Sequence, residues 1–273
     1  MSLFRCPICT APLTKEDKTY RCRKGHSYDC AKEGYVHLLP ANQKHSKNPG
    51  DDKGMAMSRN RFLSGDWYRP LRQALEQLAC EMDRQDLSVL DSGCGEGYYT
   101  QGVARALKEQ GRAFQIGGVD LSKPSVRYAA KRLKEGEFAV ASVYHLPVGT
   151  DSIDLLINCF SPLALEEFAR VLKKGGRFLY VVPGPEHLWE LKQVLYEKPY
   201  LNDEIAPDYP GFTKCKVVKV EEKVTLPNQQ TISDLFQMTP YFWRTPASGK
   251  AKLEALETLE LTISFSVHVY EKV

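Results

Sequence analysis

The sequence predicts an α/β fold: a parallel, doubly wound sheet preceded by a small metal-held knuckle. Three observations predict it. A glycine-rich turn, "SGCGEG", sits between an apolar strand pattern and a helical one at residues 88 to 110. Strand-like and helix-like stretches then alternate from residue 114 to residue 184, the pattern of a sheet whose crossovers are helices. Cysteines and a histidine at metal-ligand spacing open the chain as C-x2-C-x12-C-x3-H, Cys6, Cys9, Cys22 and His26. With 273 residues there is more chain than one average domain needs. We divide it into a zinc-binding domain (1–37), a linker and helical segment (38–80) and a wound-sheet domain (81–273).

The knuckle comes first. Three thiolates and an imidazole make a closed tetrahedral set, and four good ligands argue for structural rather than catalytic zinc. A segment of this size buries too little apolar surface to fold alone, so metal binding supplies the difference. Cys30 lies four residues past His26 and is a rival fourth ligand; the tight C-x3-H pair favours His26. Charge is skewed toward this end. Eleven of the 37 basic residues and six of the 34 acidic ones fall in residues 1 to 60, a net of +5, and the remaining chain has a net of −2. A polyanion is the natural partner for such a patch, with Arg21, Arg23, Lys24 and Lys32 as phosphate contacts. The alternative is a solvated surface with mildly skewed charge.

In the glycine turn, Ser88 to Asp91 read as a buried strand ending in an acid, Gly93, Gly95 and Gly97 as a close-approach turn, and "YYTQGVARALKEQ" as a helix. A dinucleotide fingerprint needs a glycine three after the second one; that place holds Tyr98. Asp91 would repel a pyrophosphate and attract a cationic amino group. The next strand, "FQIGGVD", ends in Asp120, where an acid accepts ribose hydroxyls. Together these point to S-adenosylmethionine as cofactor. Helix 123–136, strand 137–142 with Ser142 beside the adenine, strand 153–160, a helix over 162–176 ending at Gly175–Gly176, and strand 177–184 follow. Beyond Tyr200, "KCKVVKVEEKVTL" and "LTISFSVHVYEKV" read as antiparallel strands flanking a helical "SDLFQMTPYFWR". No run of about eighteen apolar residues occurs, and the start lacks a secretory core, so the expected location is the cytoplasm, with no membrane partner.

The segments "CPICTAPL", "AKEGYVHLLP", "NPGD", "RFLSGDWYRPL", "LDSGCGEGYYT", "PGPEHLWELK" and "LFQMTPYFWR" resemble, nearly end to end, the bacterial large-subunit ribosomal RNA guanine-N1 methyltransferases. The resemblance implies a Rossmann-like class I methyltransferase fold with an N-terminal zinc ribbon. It implies zinc on Cys6, Cys9, Cys22 and His26, and S-adenosylmethionine contacts at Tyr68, Gly95, Glu96 and His187. It further implies a 23S ribosomal RNA hairpin as substrate and a homodimer whose knuckles help form the RNA cleft. The resemblance also implies that one choice of guanine can bear on macrolide sensitivity. Without the resemblance, Tyr68 reads first as a core aromatic, and His187 reads equally as a helix-start residue in solvent. Tyr241, Phe242 and Trp243 read first as core and second as a stack for an extruded base. "NCFSP" at 158–162 names no catalytic base. Two alternatives stand beside this reading: a small-molecule methyltransferase with a structural knuckle, and a non-catalytic zinc-dependent RNA-binding protein.

Overall fold

The computed structural model describes residues 2–43, 50–204 and 207–273. The chain begins with three short strands, β1 (Leu13–Glu16), β2 (Thr19–Cys22) and β3 (Ser27–Asp29), which form an antiparallel ribbon in that order. After it come β4 (Val36–His37), a 3-10 turn (Ala41–Gln43), α1 (Lys53–Ser64) and α2 (Arg69–Cys80). The wound part runs β5 (Asp86–Ser92), α3 (Tyr98–Glu109), β6 (Ala113–Asp120), α4 (Lys123–Arg132), β7 (Glu137–Val140), β8 (Ile153–Cys159), α5 (Leu165–Val171), β9 (Leu172–Pro183) and α6 (Trp189–Leu195). The chain closes with β10 (Phe212–Leu226), α7 (Gln229–Gln237), α8 (Tyr241–Arg244), α9 (Ala247–Glu254) and β11 (Leu259–Lys272).

The large sheet has the order β10-β11-β9-β8-β5-β6-β7-β4. Its central pairings are parallel, and β11 is antiparallel to both β9 and β10. The order reverses between β5 and β8, the switch point where such sheets place ligands at their strand carboxyl ends. Alternation along each strand sorts the side chains into two cores. Val89, Leu155, Ile157 and Val181 face one core, shared with α1 to α4, α6, α7 and α9. Leu90, Leu156 and Phe178 face the other, where Phe168 of α5 meets Phe4, Leu13 and Tyr20 of the ribbon.

The ribbon is therefore part of the wall of the sheet. Phe4 bridges to Val148, and the Arg5 amide donates to the Pro147 carbonyl at 2.8 Å. Tyr20 Oη and Ser2 Oγ both donate to Glu137 at the start of β7. β4 pairs in parallel with β7, so the end of the expected zinc-binding segment supplies the eighth strand.

Two expected elements are placed differently. The helix read over 162–176 is only α5, Leu165–Val171, because Leu172 already pairs with Ile153 of β8. Lys173 to Gly176 then form a bulge, with Gly175 at φ 71°. The helix read in "SDLFQMTPYFWR" is two pieces, α7 and α8, separated at Met238–Pro240, since proline has no N–H for the preceding turn.

Candidate active site and metal centre

At the carboxyl ends of β5, β6, β8 and β9 lies a cavity of about 680 Å³, well inside the range of small-molecule sites. The glycine turn forms its floor. Gly93, Gly95 and Gly97 all have positive φ, at 88°, 53° and 79°. A side chain at Gly93 would collide with Ser161, and one at Gly97 with Ala129 of α4 at 2.9 Å. Gly93 and Gly95 line the cavity; Gly97 lies outside it and lets α3 approach α4.

Asp120 also lines the cavity. Its carboxylate accepts the Gly95 amide at 3.0 Å and the Ser122 amide at 2.7 Å. Burial pushes its pKa up against the pull of those two amides. Asp91 sits behind the wall, 1% exposed. Thr100 Oγ1 donates to its Oδ2 at 2.6 Å while its Oδ1 has no partner. Burial, with Glu96 and Asp120 nearby, pushes its pKa up to about 7. Glu96 lines the cavity, and burial raises its pKa although Arg59 and Arg132 pull the other way. Ser142 is outside the lining; its neighbours Val143 and Tyr144 take that place, and its hydroxyl accepts the Tyr144 amide at 3.2 Å.

Tyr68 and His187 meet in the cavity wall, 3.4 Å apart between Oη and Nε2. The Ser264 amide donates to His187 Nδ1 at 3.2 Å, so the ring proton belongs on Nε2 and points to Tyr68. That leaves the tyrosine hydroxyl proton free to serve a ligand. Burial and the nearby Lys192 push the His187 pKa down to about 3, so the ring is neutral at pH 7.

Sequence reasoning missed a whole wall. Gly50, Asp51, Arg59 and Leu63 line the cavity from the segment read as linker. Arg59 pairs with Asp51 and donates to the Met238 carbonyl at 3.2 Å. The signal was present: Asp52 is an N-cap whose side chain accepts the Met55 amide. Of "NPGD", Asn48 and Pro49 lie outside the described residues, while the Asp51 carbonyl accepts from Ser122 Oγ at 2.7 Å. Of the three late aromatics only Tyr241 lines the cavity. Phe242 packs on Phe236, and Trp243 is 68% exposed.

The ligand atoms of Cys6, Cys9, Cys22 and His26 lie within 4.8 Å of one another. A tetrahedral zinc puts neighbouring sulfurs about 3.8 Å apart and sulfur and nitrogen about 3.6 Å apart. Here Cys9 and Cys22 sulfurs are 3.7 Å apart. His26 Nδ1 is 3.4 Å from the sulfurs of both Cys6 and Cys22. Tyr28 Oη lies 3.0 Å from the Cys6 sulfur, an outer partner of the kind that steadies a metal ligand. Burial opposes ionisation of Cys6, yet Tyr28 and the backbone at Cys9 and Ile8 bring its pKa down to about 6. The donor set and spacing fit zinc. Cys30 is outside the cluster, in a bridge with Val36.

Comparisons with known proteins match both parts. Residues 4–47 match the zinc-ribbon family described as "RlmA, N-terminal", and residues 83–230 match the "Methyltransferase domain" family. A Bacillus subtilis protein provisionally named a 23S rRNA (guanine-N(1)-)-methyltransferase is 31% identical, over 97% of this chain and 96% of its own. The 23S rRNA (guanine(748)-N(1))-methyltransferase of Streptomyces fradiae is 30% identical, over 97% of this chain and 95% of its own. This chain belongs to the 23S rRNA guanine-N1 methyltransferase family. The class I methyltransferase fold with a zinc ribbon follows, and S-adenosylmethionine and zinc are the cofactors of the family member described here. Among the described residues no helix is long and apolar enough to cross a membrane.

Proposed function

We propose that this enzyme transfers a methyl group from S-adenosylmethionine to N1 of a guanine in a 23S ribosomal RNA hairpin. The observation that carries the reading is the pairing of the two parts in one chain: relatives bearing that activity in their names align over both ribbon and sheet. Cys6, Cys9, Cys22 and His26 hold the zinc. Tyr68, Gly93, Gly95, Glu96, Asp120 and His187 bind the methyl donor directly, and Asp91, Gly97 and Ser142 support them from behind. The division at residues 37 and 80 serves as a description of labour, with the helical stretch 38–80 completing the donor cavity.

Bound S-adenosylmethionine supplies a methyl group made electrophilic by its sulfonium. The protein's own work is to bind, orient and exclude water. Asp120 would hold the ribose hydroxyls on the lone pairs its two amides leave free. Glu96 and the floor glycines would hold the methionine end, with Tyr68 as a hydroxyl donor to it. His187 is no base: it is neutral and both ring nitrogens are committed. The lining acids are Asp51, Glu96 and Asp120, all gathered at the glycine turn and Arg59. Transfer would form the N1–methyl bond, break the sulfonium's bond to that methyl group and release the N1 proton.

Arg21, Arg23, Lys24 and Lys32 are exposed on the ribbon and contact hairpin phosphates. Two copies of the chain form the RNA cleft, in the cytoplasm. The test is transfer of a labelled methyl group to 23S rRNA, with nuclease digestion of the product. Label in N1-methylguanosine is expected. Label elsewhere, or transfer to free nucleotides instead of RNA, would contradict the reading.

A further inference from the structure

Phe160 is the residue the reaction scheme above leaves without a part. It follows β8 directly, lines the cavity and is 49% exposed. Its φ is 53°, the left-handed region that a bulky side chain rarely adopts. Such strain persists only where the surroundings enforce it, and it gathers at ligand clamps. Here they do. Buried Asn158 donates to the carbonyls of Ser92 and Pro162, at 3.3 and 3.2 Å, tying the loop to the end of β5. The next residue, Ser161, fills the space where Gly93 lacks a side chain. The loop is thus locked onto the glycine turn. Behind the exposed ring stands Phe265, 5.7 Å away between centroids. Phe265 is itself held by Tyr68 and His187 at 4.9 and 4.5 Å.

A second wall faces the same cavity from elsewhere in the chain. Tyr200, 52% exposed, and Tyr241 both line it. Fully buried Lys192 holds them in place. Its ammonium donates to the Tyr200 carbonyl at 3.0 Å and to Asn202 Oδ1 at 2.7 Å. It also lies 4.7 Å from the Tyr200 ring and 5.7 Å from the Tyr241 ring, within cation–π range. None of these residues belongs to the donor floor.

We propose that the target guanine seats in the part of the cavity walled by Phe160, Tyr200 and Tyr241, its base stacked on the Phe160 ring. This rests on the guanine reading above. A base extruded from RNA needs an aromatic or apolar face to replace its lost stacking. A ring that is rigidly backed, half open and locked to the donor turn offers one at the place where the methyl group must arrive. Phe160 is then a substrate-touching residue, and Lys192 positions the opposite wall.

The experiment compares wild type with Phe160→Leu, which keeps apolar bulk without the π face, and Phe160→Tyr, which keeps the face. Stacking on an aromatic side chain is worth about 5- to 150-fold in affinity per base. The leucine variant is expected to lose kcat/KM on 23S rRNA in that range, with the S-adenosylmethionine Kd by calorimetry unchanged within about twofold. The tyrosine variant recovers most of the loss. A fluorescent guanine analogue at the target position is quenched by wild type and the tyrosine variant, and not by the leucine variant. Wild-type kcat/KM in the leucine variant overturns the proposal, and so does a parallel loss of donor affinity. If wild type itself methylates no rRNA, the functional reading falls and this inference falls with it.

Discussion

The two sides of the cavity are built differently. The floor of the donor side comes from short contiguous motifs, the turn Gly93–Gly97 and Asp120 at the end of the next strand, and it is held by backbone amides. The acceptor side is gathered from residues 160 to 162, 200 to 202 and 238 to 244, and it is held by ring packing and one buried lysine. A common cofactor meets the common part; the part that must fit one RNA is assembled from far-apart pieces. The ribbon backs the donor side, since Val143 of the cavity wall shares a core with Phe4, Leu13 and Tyr20.

The largest break in that contrast comes from removing the metal. Structural zinc contributes on the order of 10 kcal/mol in small ribbons. Chelation, or Cys22→Ser, is expected to abolish hydrogen-exchange protection in residues 2 to 38 and then to weaken donor binding through the shared core. Unchanged protection after zinc is shown to be gone would contradict this.

Next in size is a pH effect confined to the donor side. The Asp91 carboxyl has its folded pKa raised to about 7, chiefly by burial. Its favourable contribution to stability is complete below the unfolded value near 4 and is lost as pH rises to about 7, on the order of 4 kcal/mol. Asp91→Asn should flatten the urea-midpoint profile between those limits. A profile as steep as wild type would assign the slope to other groups.

Asp120→Ala removes the partner of two amides and, in the proposed site, of the ribose. Bonds to a charged acceptor are worth roughly 1.5–3 kcal/mol, so donor Kd should rise ten- to hundredfold with RNA affinity little changed. Equal losses for both ligands would erase the distinction between the sides.

The smallest effect tests the acceptor side. Lys192→Met removes a buried ammonium and leaves the Tyr200 carbonyl and Asn202 Oδ1 without that donor, at an expected stability cost of about 1–3 kcal/mol. KM for RNA should increase about five- to tenfold, the worth of one coupling near 1 kcal/mol. Loss of donor binding instead would place Lys192 on the wrong side.

This division explains what could be read from the residues alone. Gly93, Gly95 and Asp120 announce themselves because their spacing is local and their chemistry narrow. The zinc ligands do so for the same reason. Arg59 escaped because it lies on a helix between two better motifs, and only folding brings it to the turn. Phe160 escaped because "NCFSP" has no reactive group; its meaning is its φ and its exposure. Tyr241, Phe242 and Trp243 are one cluster in the sequence, and Pro240 starts a short turn that sends the three rings to different surroundings. The helix expected to reach Gly176 stopped at Val171 because pairing with β8 claimed Leu172 first.

Guanine N1 lies on the pairing edge, so a methyl group there halts reverse transcription. Mapping stops on 23S rRNA from a strain lacking this chain, before and after treatment with the purified enzyme and S-adenosylmethionine, tests the central claim most directly. One hairpin guanine is expected to lose its stop in the deletion strain and regain it on treatment. An unaltered pattern of stops in both comparisons would contradict the account.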